Sequence, residues 1–321
     1  MDLAKAFDNV KHDLLIKKIA CDISIPFAIF VKNYLTERTS KVVVKGIFGD
    51  QFCVTSGVPQ GSVLGPYLFN IFMGSLGFDF CRNFHSDNYL IIMYADDILI
   101  VERVVSFDNH ISSVPFIFNW FSTQGLKCNI TKCNQSFYAK NNLSSIYHPF
   151  AKNYDDLPFN TEFKYLGVIF SCNSNFDTYV DYLINRVSKS IYVIRSLKLS
   201  GVCVKDLLTV YDSLILNVIL YAFPLFWSFS KQNIAKLNKI HIRCHSIICG
   251  KNCSCSTLSN VAYYRSIKFF NVCNIASHPL FYCIPHLLPS GRFSQPFVQT
   301  VRRSHSFFPY IVSILNNTYR R

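Results

Sequence analysis

Acidic residues are scarce. The 321 residues hold 19 Asp and Glu against 32 Lys and Arg, a formal net charge of +13. That surplus does not choose a fold, but it favours polyanionic partners, nucleic acid first and anionic membrane second. CxxC spacing is missing, although there are 13 Cys. A chain this long with half its residues apolar needs no disulfide scaffold, so the thiols read as reduced, buried and intracellular, with nucleus and cytoplasm both open. The opening MDLAKAFDNV carries acids where a signal peptide is basic and then apolar, so secretion is not expected. No clean apolar run reaches the roughly 20 residues of a spanning helix. Residues 213–229 (SLILNVILYAFPLFWSF) lack charge, yet Ser213, Asn217, Pro224 and Ser228 interrupt them, which favours a buried core helix over a membrane segment. Repeats and low-complexity tracts are also lacking. The 50% apolar content excludes a disordered chain, and the length suggests two to three domains.

Local patterns place the elements. Residues 1–7 predict a short strand; residues 12–20 and 26–37 predict helices, with Pro26 suited to a first turn. Residues 40–45 and 51–55 are β-rich, and Gly49-Asp50 between them suggests an antiparallel hairpin. A Gly- and Pro-rich loop, residues 56–66, precedes an apolar helix at 67–76. In YLIIMYADDILIV, residues 89–101, two adjacent acids sit at the tip of a hairpin pattern. Ser106 is suited to cap a helix whose stripe is Phe107, Ile111, Val114, Phe118 and Phe121, kinked by Pro115 and ended by Gly125. Residues 163–170 (FKYLGVIF) read as one strand. From Asp177 the pattern is helical: a stripe of Val180, Leu183, Val187, Ile191 and Ile194, then helices at 205–227, 231–249 and 257–276, and an irregular tail from Leu288. The chain therefore divides near residue 175 into an α+β part, 1–175, and a helical part, 176–321.

Asp2, Asp96 and Asp97 are the candidate chemical centre. Adjacent acids in an apolar run repel each other unless a cation lies between them. A third acid on another strand would complete an oxygen-only cage, which selects Mg²⁺ or Mn²⁺, and two such ions clamp the oxygens of a phosphoryl transfer. An ordinary solvated turn is the alternative reading of Asp-Asp. The loop SGVPQGSVLGP has more glycine than a plain strand-to-helix turn needs; small residues let backbone approach a flat ligand, and Gln60 adds an amide that donates and accepts. Lys132, beyond a helix, reads by itself as a surface charge.

DLAKAFD, SGVPQGSVLGP, YADD, GLKCNITKC and FKYLGVIF resemble, in this order, the palm motifs of reverse transcriptases. The wording KAFDNVKHDLL and SVLGPYLFNIF is similar to the LINE-type (non-LTR) retrotransposon version, and the likeness runs into the helical part through residues 207–227, 240–250 and 302–316. The resemblance implies an α+β polymerase palm, an antiparallel sheet with helices, followed by an all-helical thumb and C-terminal region. It implies an RNA-directed DNA polymerase using two Mg²⁺ (or Mn²⁺) ions, an RNA template, a DNA primer and deoxynucleotide triphosphates; no membrane is expected, and no obligate protein partner is inferable. Asp2, Asp96 and Asp97 match the metal-binding catalytic acids, and Lys132 the proton donor to pyrophosphate. Phe7 matches the residue that excludes a ribose 2′-hydroxyl, with a core aromatic as the alternative. Gln60 and Gly61, with Tyr94, match positions along template and nucleotide, and Tyr165, Leu166 and Gly167 fall in the primer grip.

The family has a fingers region before DLAKAFD and, in many elements, an endonuclease upstream; here Asp2 is the second residue. The expectation is a truncated fragment that binds nucleic acid weakly and does not extend a primer alone. An inactive nucleic-acid-binding remnant is the alternative reading, and a membrane-associated helical protein a third. His241, Cys244, His245, Cys249, Cys253 and Cys255 crowd together and suggest zinc, against a plain packing helix. Arg186, Lys189, Arg195 and Lys198 suit phosphate contacts or a solvated face equally.

Overall fold

Two helices open the chain where apolar residues recur at helical spacing. In α1 (His12–Asp22) Leu15 and Ile19 are buried, and in α2 (Ile25–Leu35) Ala28, Val31 and Leu35. Pro26 lies in the first turn of α2, and the Ser24 hydroxyl accepts the Phe27 N–H as a cap. A computed structural model describes residues 1–84, 87–104, 111–138, 157–173, 175–250, 255–296, 298, 303 and 305–318. It divides into two compact units, Met1–Leu166 and Gly167–Arg321. Helices and two-stranded sheets make the chain α+β.

In the first unit, β1 (Thr39–Val44) and β2 (Ile47–Cys53) pair antiparallel, as expected, but not around Gly49-Asp50. Val44 pairs with Ile47, so Lys45-Gly46 is the turn, with φ of 50° and 83°. Two successive positive φ values match the twist of a hairpin, and glycine takes the second without a Cβ penalty. The loop at 56–66 leads into α3 (Gly65–Asn83), longer than the apolar run suggested, with Leu68, Phe69, Phe72, Met73, Leu76 and Phe80 buried. β3 (Tyr89–Tyr94) and β4 (Asp97–Glu102) form the expected antiparallel hairpin.

The next helix differs from the expected one. α4 (Val114–Gln124) starts late, so Pro115 sits in its first turn and causes no kink. Ile117, Trp120 and Phe121 form its buried face, Ile111 is exposed, and Ser106 and Phe107 lie outside the described residues. Gly125 ends it at φ 74°. FKYLGVIF is not one strand but β5 (Glu162–Tyr165) and β6 (Val168–Ser171) around Leu166-Gly167, whose φ values are 45° and 83°.

The second unit is mostly helical. In α5 (Asp177–Leu199) all five stripe residues, Val180, Leu183, Val187, Ile191 and Ile194, are buried. The helix expected at 205–227 is broken: α6 (Val204–Tyr211) runs into a π-helical turn, Asp212–Leu216, and a short turn, Asn217–Ile219. Pro224 begins a further single turn, Phe223–Phe226, as its missing N–H requires. α7 (Lys231–Cys249) and α8 (Leu258–Cys273) are capped by the Ser230 and Thr257 hydroxyls. The tail is less irregular than its composition suggests, for α9 (Phe307–Thr318) buries Phe307, Ile311 and Val312 beside Phe270. No helix among the described residues is long and apolar enough to cross a membrane.

Candidate active site

The first four residues form an extended segment held on both edges. The Met1 ammonium donates to the Ile98 carbonyl at 2.6 Å, and the Ile98 N–H donates back to the Met1 carbonyl at 3.1 Å. A residue pair that exchanges both bonds belongs to an antiparallel ladder, so Asp2 and Asp97 fall opposite each other, a spacing of about 4.5–5.5 Å between Cβ atoms. On the other edge Leu3 bridges Cys128 antiparallel, and Asn129 donates its N–H to the Asp2 carbonyl at 2.9 Å. Tyr94 pairs with Asp97. The register thus lines up Tyr94, Asp97, Asp2 and Asn129 across one face. The segment is bonded on both edges but forms only an isolated bridge at Leu3, not the strand expected over residues 1–7, and Lys5, at φ 48°, leads it into the 3-10 turn Ala6–Asn9.

Asp96 sits in the two-residue turn beside Ala95, whose φ is 52°. A non-glycine residue there is strained, and the tight turn delivers both acids to the sheet end. Asp97 titrates above the ordinary carboxylate range because burial disfavours its charge, with Asp96 and then Asp2 adding repulsion and the N-terminal ammonium partly relieving it. Lys132 reaches Asp2 Oδ1 at 3.9 Å from a side chain 65% exposed, a weak, screened pair. The Tyr165 hydroxyl is buried without a hydrogen-bond partner, and its pKa is raised by burial and then by the Asp97 charge. Asp2, Asp96, Asp97, Lys132 and Tyr165 are therefore brought together.

The other candidates form a second group. The Val58 N–H donates to the Phe7 carbonyl at 2.9 Å and the Gly57 N–H to the Val10 carbonyl at 2.8 Å, which straps the loop onto residues 7–10. Gln60 Nε2 donates to Asp8 Oδ1 at 2.9 Å, and the Ser56 hydroxyl donates to the Asp8 carbonyl at 3.0 Å. Each glycine has its own reason. A Cβ at Gly57 would lie 2.8 Å from Asp8 backbone, one at Gly65 2.3 Å from the Pro59 carbonyl oxygen, and Gly61 is in open space at φ 81°. Phe7 is half-buried and stacks on Phe69 with ring centroids 4.2 Å apart, while Tyr94 is 65% exposed.

The comparisons decide the family. The model for "Reverse transcriptase (RNA-dependent DNA polymerase)" matches residues 1–170. The chain belongs to the reverse transcriptase family. It is 25% identical over 256 residues to a protein named probable RNA-directed DNA polymerase from transposon BS of Drosophila melanogaster, covering 76% of this chain and 28% of that one. It is 25% identical over 252 residues to the RNA-directed DNA polymerase from mobile element jockey of the same fly, with 75% and 27% covered. A third match, 26% over 145 residues, is to a Pol polyprotein of the type-1 retrotransposable element R2 of Popillia japonica, covering 41% and 23%. The resemblance to a LINE-type reverse transcriptase domain is borne out. This chain spans little more than a quarter of the length of the first two relatives.

Reverse transcriptases generally use divalent metals. The acids here are an all-oxygen donor set, and burial together with the charges of Asp96 and Asp2 raises Asp97, which fits such an ion. Among the described residues, however, no group of three or more His, Cys, Asp or Glu stands in a metal-holding arrangement, so the acids are neighbours without forming a closed cage. That finding also bears on the reading of zinc. His241 has both ring nitrogens engaged, by the Tyr211 hydroxyl at 2.5 Å and the Ser256 carbonyl at 2.7 Å, and burial lowers its pKa. Cys244 is buried in the core and Cys253 lies outside the described residues. Of the four basic residues on α5, Lys198 donates to the Ile248 carbonyl at 2.8 Å near the end of α7, while Arg186, Lys189 and Arg195 are exposed.

Sequence reasoning missed three neighbours of the reverse transcriptase motifs. Asp8, the second acid of DLAKAFD, anchors Gln60. Cys128 and Cys133 flank Lys132 and hydrogen-bond to each other and to Asp2 backbone. Hydrogen bonding from Cys128 holds the Cys133 thiol down, to about 6, and Cys128 is pushed up in return. The spacing CNITKC was the available signal.

Proposed function

We propose that residues 1–175 are the palm, and residues 176–321 the thumb and C-terminal region, of an RNA-directed DNA polymerase from a non-LTR retrotransposon. The observation that carries this is the exchange of hydrogen bonds between Met1 and Ile98, which sets Asp2 opposite Asp97 in a chain whose residues 1–170 match the family. Asp2, Asp96 and Asp97 would hold two Mg²⁺ or Mn²⁺ ions, which supply charge neutralisation at the attacking and leaving oxygens of nucleotide addition.

The chain's own residues do the rest. Lys132, exposed and beside Asp2, gives a proton to the departing pyrophosphate. Phe7, its ring propped on Phe69, blocks the 2′ position of an incoming ribonucleotide. Gln60, aimed by Asp8, and Gly61 offer backbone and amide to template and nucleotide, with Tyr94 beside the acids. The Tyr165-Leu166-Gly167 turn holds the primer end. The substrates are an RNA template, a DNA primer and deoxynucleotide triphosphates.

The test is primer extension on an RNA template, with Mg²⁺ and then Mn²⁺, by the longest translated frame containing these 321 residues. Extension that disappears in the Asp96→Asn, Asp97→Asn variant supports the reading. Folded protein that binds primer–template and adds no nucleotide supports instead an inactive nucleic-acid-binding remnant.

A further inference from the structure

Cys128 and Cys133 hold their sulfurs 3.2 Å apart, with the 3-10 turn Ile130–Lys132 between them. Both are free thiols; Cys133 is fully buried and Cys128 half-buried. A disulfide needs about 2.05 Å between sulfurs, so closure requires a movement of only about 1 Å. Both thiols also grip the same peptide segment: the Asp2 N–H donates to Cys133 Sγ at 3.4 Å and the Cys128 thiol donates to the Asp2 carbonyl at 3.5 Å. The pair is thus set by the strand pairing of Leu3 with Cys128 and of Asn129 with Asp2, and not by a flexible loop.

We propose that Cys128 and Cys133 are an oxidation site, closed to an intramolecular disulfide by exchange with a small-molecule disulfide such as glutathione disulfide. The half-buried Cys128 sulfur, its proton passed to Cys133 Sγ 3.2 Å away, attacks the oxidant and expels one thiolate, leaving a mixed disulfide. The buried Cys133 sulfur then attacks Cys128 and expels the second. One S–S bond forms in the protein and one breaks in the oxidant, which departs as two thiols carrying the two protons. The product closes a loop that contains Lys132. It also removes the S–H that Cys128 donates to Asp2, so oxidation changes the bonding of the residue opposite Asp97.

The experiment treats the folded 321-residue chain with graded glutathione disulfide, blocks remaining thiols with an alkylating agent in denaturant, and maps peptides by mass spectrometry. Exposed Cys21 reports that the oxidant acts. The expected result is a Cys128–Cys133 cross-linked peptide, two hydrogens lighter than the dithiol, which dithiothreitol restores. Cys133→Ser, which removes the second thiol, should leave a stable glutathione adduct on Cys128. Modification of Cys21 while Cys128 and Cys133 both remain alkylatable in the unmodified chain would overturn the proposal, as would Cys128 linked to any other cysteine. Because the unmodified chain decides by itself, a variant that fails to fold does not rescue the idea.

Discussion

Asp97 is where the site costs the fold most visibly, because its charge is disfavoured by burial, by Asp96 and by Asp2. Its folded pKa lies above the unfolded value, so the folded state keeps a proton that the unfolded state releases, and stability falls as pH rises through that interval. Asp97→Asn removes the penalty. In the absence of divalent metal, thermal melts should place the variant above the parent near neutral pH. The gap should close as pH drops below the carboxylate range. A gap that persists in acid would assign the effect to something other than charge. Phe7 carries a different expectation. Phe7→Ala loses the stack on Phe69 and should cost about 2–4 kcal/mol by denaturant titration, while lowering discrimination against ribonucleotides in the extension assay. Loss of stability with unchanged discrimination would assign the ring to the core alone.

Among elements, the loop at 56–66 makes the sharpest distinction between space and backbone angle. Gly65→Ala forces a Cβ onto the Pro59 carbonyl oxygen and should cost on the order of 1–3 kcal/mol, since backbone must move. Gly61→Ala meets nothing and should cost only the left-handed penalty, about 1 kcal/mol. Denaturant midpoints for the two variants, compared side by side, check the order. The same elements show what the sequence could and could not reveal. The stripe on α5 and the acid-tipped hairpin of β3 and β4 were legible because burial and periodicity coincide there. The turns Lys45-Gly46 and Leu166-Gly167 were not, because glycine supplied only the second position, and Lys and Leu accept positive φ without any compositional signal. α4 was placed too early because its stripe was counted through Pro115, which the helix uses as a first-turn residue. Within the site, the acids, Lys132 and Gln60 were visible from motif order. The clasp of Cys128 and Cys133 on Asp2 was not, since only strand pairing brings those segments together.

For the molecule as a whole, the +13 charge sets the expectation for nucleic-acid binding. Each phosphate contact releases counterions, so the logarithm of affinity for a primer–template should fall linearly with the logarithm of salt, and Arg186→Ala with Lys189→Ala should flatten that slope by about 1–2. An unchanged slope would make the exposed face of α5 a solvated surface only. Each unit has its own buried core, so the helical unit does not depend on the acids for its packing. The central proposal is that Asp2, Asp96 and Asp97, near one another through the pairing of residue 1 with residue 98, would together hold divalent cation. Electron paramagnetic resonance of Mn²⁺ titrated into the 321-residue chain tests it directly. Saturable binding is expected, weakened at least about tenfold by Asp2→Asn or Asp97→Asn and lost when all three acids become Asn. Binding by the triple variant as tight as that of the parent, or no saturable binding by the folded parent, would contradict the account.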